Sequence, residues 1–156
     1  MSSQYTNDSF TDIFIYETSQ NIQLLEQIAL SCETGGFTED SLNEIFRLVH
    51  TIKGSASMML YSNISNVSHK LEDLFFFLRE RPDIKYDNEE LSEIVLCVID
   101  FIKTELEKVK AGNKPDGNPD KTAEDIHLFL SRLKGENGEK GCQNNRNKTK
   151  RKLKSY

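Results

Sequence analysis

Apolar residues recur along this chain at helical spacing, in four long stretches and one short one. From residue 8 to about 31 the apolar positions are Phe10, Ile13, Phe14, Leu24, Leu25 and Ile28, at gaps of three and four, with Glu17 and Asn21 interrupting the stripe. Asp8 or Ser9 is placed to cap the start, and Gly35-Gly36 stops the helix. A second helix opens at Thr38 or Asp40 and buries Leu42, Ile45, Val49, Ile52, Ala56 and Met59. Ser62-Asn63 signals a turn, and a third helix follows through Ile64, Val67, Leu71, Leu74, Phe75 and Leu78, ending before Pro82. A fourth, capped near Asp87 or Asn88, runs to Gly112 through Leu91, Ile94, Val95, Val98, Phe101, Ile102 and Val109. After a loop holding Pro115 and Pro119, a short fifth helix carries Ile126, Phe129, Leu130 and Leu133 and closes at Gly135.

No stretch alternates in the manner of a strand, so the expected fold is all-α. Four long amphipathic helices with short connections pack as an antiparallel four-helix bundle, with the fifth docked outside it. The bundle is expected over 1–134. Residues 135–156 contain almost no apolar side chains and are expected to form a flexible, disordered basic tail or linker.

Charge sharpens this division. The net charge of −5 combines a tail with seven Lys or Arg against two Glu, +5, and a body, 1–134, at −10. An acidic body argues against nucleic acid as a partner. No apolar run reaches the roughly 20 residues of a membrane span, and the N-terminus has neither a basic start nor an apolar segment of the export type. Cys32, Cys97 and Cys142 are odd in number and lack metal-type spacing. A cytoplasmic protein with reduced thiols and no membrane partner is therefore expected. Four N-x-S/T matches, at Asn7, Asn63, Asn66 and Asn147, read as chance without an export signal.

The candidate chemistry lies between Leu48 and Arg79. At about 100° per residue, His50 sits roughly 120° from the centre of its helix's apolar sector, with Arg47 and Gly54 on the same outward side and Lys53 at the boundary. On the third helix His69, Glu72 and Phe76 share a face away from Leu71 and Leu78, so Glu72 is expected to be exposed. A neutral imidazole is a nucleophile near neutral pH. A carboxylate bonded to its other ring nitrogen selects the tautomer and stabilises the cation formed on attack. A lysine one turn on can neutralise phosphoryl oxygens. Glycine inside a helix costs about 1 kcal/mol in propensity, and at position 54 it leaves room beside the histidine for an incoming group. The competing reading of Gly54 is close helix packing, which its outward placement weakens.

The segments HTIKGSA, 50–56, and SHKLED, 68–73, resemble the histidine phosphotransfer (HPt) domain at the N-terminus of CheA-type chemotaxis histidine kinases. Phe14, Glu17 and Leu24 to Glu26 are similar to that family's opening helix, and the resemblance spans roughly 8–134. It implies that His50 is phosphorylated, Glu72 holds its second nitrogen, Lys53 contacts the phosphate, Gly54 leaves space and His69 tunes the site. It implies a phosphocarrier in a two-component phosphorelay: a kinase catalytic domain as donor and the aspartate of a response-regulator receiver domain as acceptor. No cofactor belongs to this chain; ATP and Mg²⁺ would be used by the partner kinase domain, and an isolated monomer is expected, as a fragment of a larger kinase or a free-standing carrier. The chain departs from the pattern at Leu60, where the family has a turn glycine. Phe76 is a candidate docking residue, against a reading as ordinary packing. Two alternatives are a helical interaction module whose histidine is incidental, and a metal site formed by His50, His69, Glu72 and Asp73.

Overall fold

A computed structural model describes residues 2–135. Five helices carry the fold: α1 (Ser2–Gly35), α2 (Glu39–Met58), α3 (Ser62–Glu80), α4 (Asn88–Lys110) and α5 (Asp120–Gly135). There is no strand among the described residues. The basic tail expected beyond α5, with Cys142, lies outside them.

Local chemistry sets the boundaries. Thr38 and Ser41 form a reciprocal cap on α2, each hydroxyl taking the other's backbone N–H, with Glu39 and Asp40 complementing the helix dipole. Asp87 caps α4 by accepting from the Glu89 and Glu90 amides at 2.9 and 3.3 Å. Gly36 and Gly112 end α1 and α4 at φ +86° and +85°, where a side chain would be strained.

The α2–α3 hairpin packs against α1 and α4, and α1 lies mainly along α4. Fully buried Leu25, Ile45, Ile52, Leu71, Leu74, Phe75 and Ile99 unite the four helices in one core. As expected, α5 is peripheral: Ile126, Phe129 and Leu133 bury its inner face against α3 and α4. Arg132 on α5 reaches Glu90 on α4 at 2.7 Å, and both are largely buried.

Two expectations about α1 need correction. The helix begins at Ser2, so Asp8 and Ser9 lie inside it and do not cap its start. Its buried face is Phe14, Thr18, Ile22, Leu25, Ala29 and Cys32, whereas Phe10, Ile13 and Leu24 are about half exposed. The 4-4-3-4-3 spacing of the buried set is a continuous helical stripe that passes through a threonine, an alanine and a cysteine. Of the expected positions Phe14 and Leu25 are on this stripe and Ile28 is partly buried beside it, so counting only large apolar residues mixes buried with exposed positions. Glu17 does not interrupt the stripe; it lies outside it.

The Phe75-Phe76-Phe77 run is resolved by giving each ring a different neighbour. Phe75 is fully buried and meets Phe37 at 6.4 Å between centroids. Phe77 is partly buried under Lys134 from α5. Phe76 stays 52% exposed and leans on Phe46 of α2 at 6.3 Å.

Candidate functional site

Helices α2 and α3 bring three of the candidate residues together. His50 projects from α2 with 62% of its side chain exposed, and its Nδ1 is hydrogen-bonded to Glu72 Oε2. Lys53, one turn along α2, donates from Nζ to Glu72 Oε1 at 2.7 Å. A single carboxylate thus takes one bond on each oxygen. Gly54 is exposed, and a Cβ built there meets nothing within 4 Å, so close packing does not explain this glycine.

Glu72 is buried, at 7% exposure, which corrects the exposed position expected from its helix alone. The residue lies at the α2–α3 seam, where His50 and Lys53 of α2 each meet one of its oxygens. A wheel drawn for α3 contains no information about what α2 places above it. Burial alone would push its carboxyl up. The hydrogen bonds from Lys53 and His50, with their charges, outweigh that and hold it below the ordinary carboxylate value. Glu72 is therefore ionised at neutral pH and can only accept, which requires the proton of a neutral His50 to sit on Nδ1. The remaining ring nitrogen, Nε2, then carries a free lone pair toward solvent.

His69 does not join this clamp. It is exposed and lies 3.7 Å from Asp73 on its own helix, so the four residues considered for metal binding split into two pairs. No group of three or more His, Cys, Asp or Glu side chains is arranged for a metal among the described residues. His69 instead lines an open depression between α2 and α3 with Lys53, Ser57, Leu60, Ser65, Asn66 and Lys70.

An aromatic neighbour escaped the sequence reading. Phe46, one turn before His50, lies nearly parallel to its ring, 12° between planes and 6.3 Å between centroids, and the Arg79 guanidinium sits 4.4 Å above Phe46. Offset parallel rings attract weakly, so this stack supports one imidazole plane while Glu72 sets its rotation. The i, i+4 spacing of Phe46 and His50 was a usable signal. The arginine, far along on α3, gave none.

Two structural features hold the hairpin. At the turn, Leu60 has φ +63°, the conformation for which glycine is suited. Its amide and that of Tyr61 bond back to the Ser57 and Ala56 carbonyls at 3.1 and 2.9 Å, satisfying the end of α2. The glycine-type turn is thus retained with leucine in it, at a strain of about 1–2 kcal/mol. At the start of α3, buried Asn63 donates to Glu105 Oε1 and to the Gly117 carbonyl, both at 2.9 Å. Glu105, only 1% exposed, also accepts from the Gly117 amide at 2.8 Å and pairs with Lys108 at 3.0 Å. This latch ties α3 to α4 and to the loop before α5.

A helical bundle that displays one imidazole on its surface in a carboxylate–lysine clamp is of the group-carrier class. More specifically, the chain belongs to the Hpt domain family, whose model matches residues 9–112. It is similar to the chemotaxis protein CheA of Halobacterium salinarum, 26% identical over 131 residues, covering 84% of this chain and 19% of that protein. The chain spans about a fifth or less of the first curated relatives it matches. In fold it resembles the phosphorylated P1 domain of CheA3, solved in complex with CheY6 from R. sphaeroides, at TM-score 0.72 and 22% identity, covering 81% of this chain and 98% of that one. It also resembles the histidine phosphotransfer domain of CheA in solution, at TM-score 0.67 and 26% identity, covering 83% and 93% of the two chains. No helix among the described residues is long and apolar enough to cross a membrane.

Proposed function

We propose that this chain is a chemotaxis-type phosphocarrier in which His50 receives a phosphoryl group from the ATP-bearing catalytic domain of a histidine kinase and passes it to an aspartate of a response-regulator receiver domain. The observation that carries the reading is the clamp: Glu72 accepts from His50 Nδ1 and Lys53 Nζ, leaving Nε2 free and facing water. Attack by Nε2 on the γ-phosphorus of ATP forms the P–N bond as the P–O bond to ADP breaks. The ring becomes cationic in character, and the Glu72 carboxylate beside Nδ1–H stabilises that charge. In the second step the acceptor carboxylate attacks phosphorus and the P–N bond breaks, returning the electron pair to Nε2. Lys53 is placed to turn part of its charge toward the phosphoryl oxygens, and Gly54 leaves the approach unobstructed. His69, outside the clamp, acts through the surface around the phosphoryl group.

ATP and Mg²⁺ belong to the donor domain in this scheme, and the carrier needs no cofactor of its own. The working unit is 1–134, a cytoplasmic and monomeric module. Exposed Phe76 and half-buried Phe46 form an aromatic edge beside His50 against which a protein partner can dock. The relative solved with CheY6 supports a receiver domain in that role.

The test is incubation with a CheA kinase catalytic domain and [γ-³²P]ATP, with His50→Gln as control. Label that is acid-labile, alkali-stable, absent from the variant and dischargeable to a receiver domain is expected. Label retained by His50→Gln would move the site elsewhere.

A further inference from the structure

Leu60 combines two features that its own fold does not explain. The backbone there is left-handed, which a branched side chain resists. Yet the side chain is 86% exposed, beside Met58 at 87%, so neither contributes to the core. The turn's hydrogen bonds are made by main-chain atoms, and glycine would make them equally well. A strained, solvated leucine points to a use outside the domain.

Its location suggests the use. Leu60 closes the far end of the depression that begins at Lys53, one turn from His50. At helical rise the span from His50 to Leu60 is about 15 Å. A typical protein interface of about 800 Å² per partner is roughly 30 Å across, so a protein centred on Nε2 reaches the tip. The depression is lined by Lys53, His69 and Lys70 and by no Asp or Glu; Glu72 and Asp73 pair with the first two from its edge, and Lys70 keeps its charge unpaired among the described residues, on a body that is otherwise strongly acidic. It therefore suits a partner whose docking face is acidic, as a phosphoacceptor site built from carboxylates must be.

We infer that Leu60 is a specificity-determining apolar contact for the receiver domain that unloads His50. The inference rests on the phosphocarrier reading and adds which partner uses this end of the groove. Phe46 and Phe76, beyond His50 in the other direction, bound the opposite end of the same surface.

The experiment compares wild type with Leu60→Gly, Leu60→Asn and Leu60→Met, using the receiver domain to which wild-type phospho-His50 discharges fastest. Glycine and asparagine accept the left-handed backbone but lack the apolar side chain; methionine restores it. Leu60→Gly and Leu60→Asn are expected to fold with an unchanged or higher thermal midpoint and to be phosphorylated by the kinase domain at the wild-type rate. Both should bind the receiver domain about 5- to 10-fold more weakly, the size of an apolar contact at an interface, with the loss in KM for transfer and not in kcat. Leu60→Met should recover most of it. Wild-type receiver affinity in Leu60→Gly overturns the inference, as does a defect confined to phosphorylation by the kinase domain, which assigns the tip to that partner. A wild-type domain that takes no phosphoryl group at all overturns the phosphocarrier reading itself, whatever residue stands at 60.

Discussion

Replacing Glu72 by glutamine keeps the shape of the side chain and reverses part of its hydrogen-bonding capacity. The carboxylate accepts from Lys53 on one oxygen and from His50 on the other. A carboxamide has one acceptor and one donating end. With its oxygen held by the lysine, its NH₂ faces His50 Nδ1, and donor meets donor unless the imidazole moves its proton to Nε2. That tautomer places the lone pair inward, where it accepts from the introduced carboxamide, and leaves no nucleophile facing the partner. Glu72→Gln is thus expected to damage phosphorylation at least as much as Glu72→Ala, in which water can satisfy either tautomer.

The rate loss follows from the bond removed. A hydrogen bond to a charged group contributes about 1.5–3 kcal/mol. If it strengthens as the ring becomes cationic, its loss slows transfer by roughly 10- to 150-fold. Stability should move much less. Lys53 keeps a hydrogen bond to the carboxamide oxygen and about a quarter of its side-chain exposure, so the glutamine variant should lose at most about 1 kcal/mol, or about 4 °C in midpoint for a domain of this size. The assays are the initial rate of labelling by the kinase domain, the thermal melt, and the ¹⁵N shifts of the His50 ring. A wild-type rate in Glu72→Gln with the proton still on Nδ1 would refute the argument. Collapse of the fold in Glu72→Ala would make Glu72 a structural residue first.

Three further substitutions or titrations test neighbouring parts of the scheme. Gly54→Ala should raise stability by roughly 0.5–1 kcal/mol through helix propensity, because a Cβ there meets nothing, yet slow phosphorylation if the bare backbone is the partner's approach; gains in both would remove that role. Gly117→Ala places a methyl group 2.4 Å from Glu105 Oε2 and should cost about 2–3 kcal/mol by breaking the buried latch, read as a fall of about 10 °C in midpoint, while the protein that remains folded still accepts phosphate. On acidification Glu72 is the group to follow: its folded-state pKa is held below the ordinary carboxylate value of 4.5, so its stabilising contribution is complete above that unfolded value and is lost as pH falls through the depressed one. The stability gap between wild type and Glu72→Gln should accordingly shrink below about pH 4.5, and a gap unchanged down to about pH 2 would count against the ionised clamp.

The sequence made legible whatever depends on a residue's own helix. Periodicity located all five elements, and the wheel of α2 placed His50 outward, with Lys53 at the boundary. It failed where a position is decided by a different element. Glu72 shares a helical face with exposed His69, yet α2 covers one and not the other. Thr18 is buried because α1 presents it to the bundle, although its hydroxyl hides it from any search for apolar stripes. The latch joins Asn63 to residues 42 and 54 positions away, and no local pattern announces such a contact. At Leu60 the sequence pointed to a backbone problem, and the structure located its cost in φ rather than in a different turn.

The contacts across α2 and α3 explain why that strained turn matters to the chemistry. Ser57 meets Ser65 at 2.6 Å, Lys53 and His50 meet Glu72, Phe46 meets Phe76, and Arg79 covers Phe46. The midpoint of each of these pairs falls between Tyr61 and Asn63, so all belong to one hairpin register. Sliding α3 by a single residue would rotate Glu72 by about 100° away from His50, leaving a buried carboxylate unpaired and the imidazole without its acceptor. The turn geometry at Leu60 fixes where the hairpin begins, and the Asn63–Glu105–Gly117 latch prevents the start of α3 from unwinding to relieve the strain. The clamp is assembled by a hairpin, and the remaining helices keep that hairpin in register.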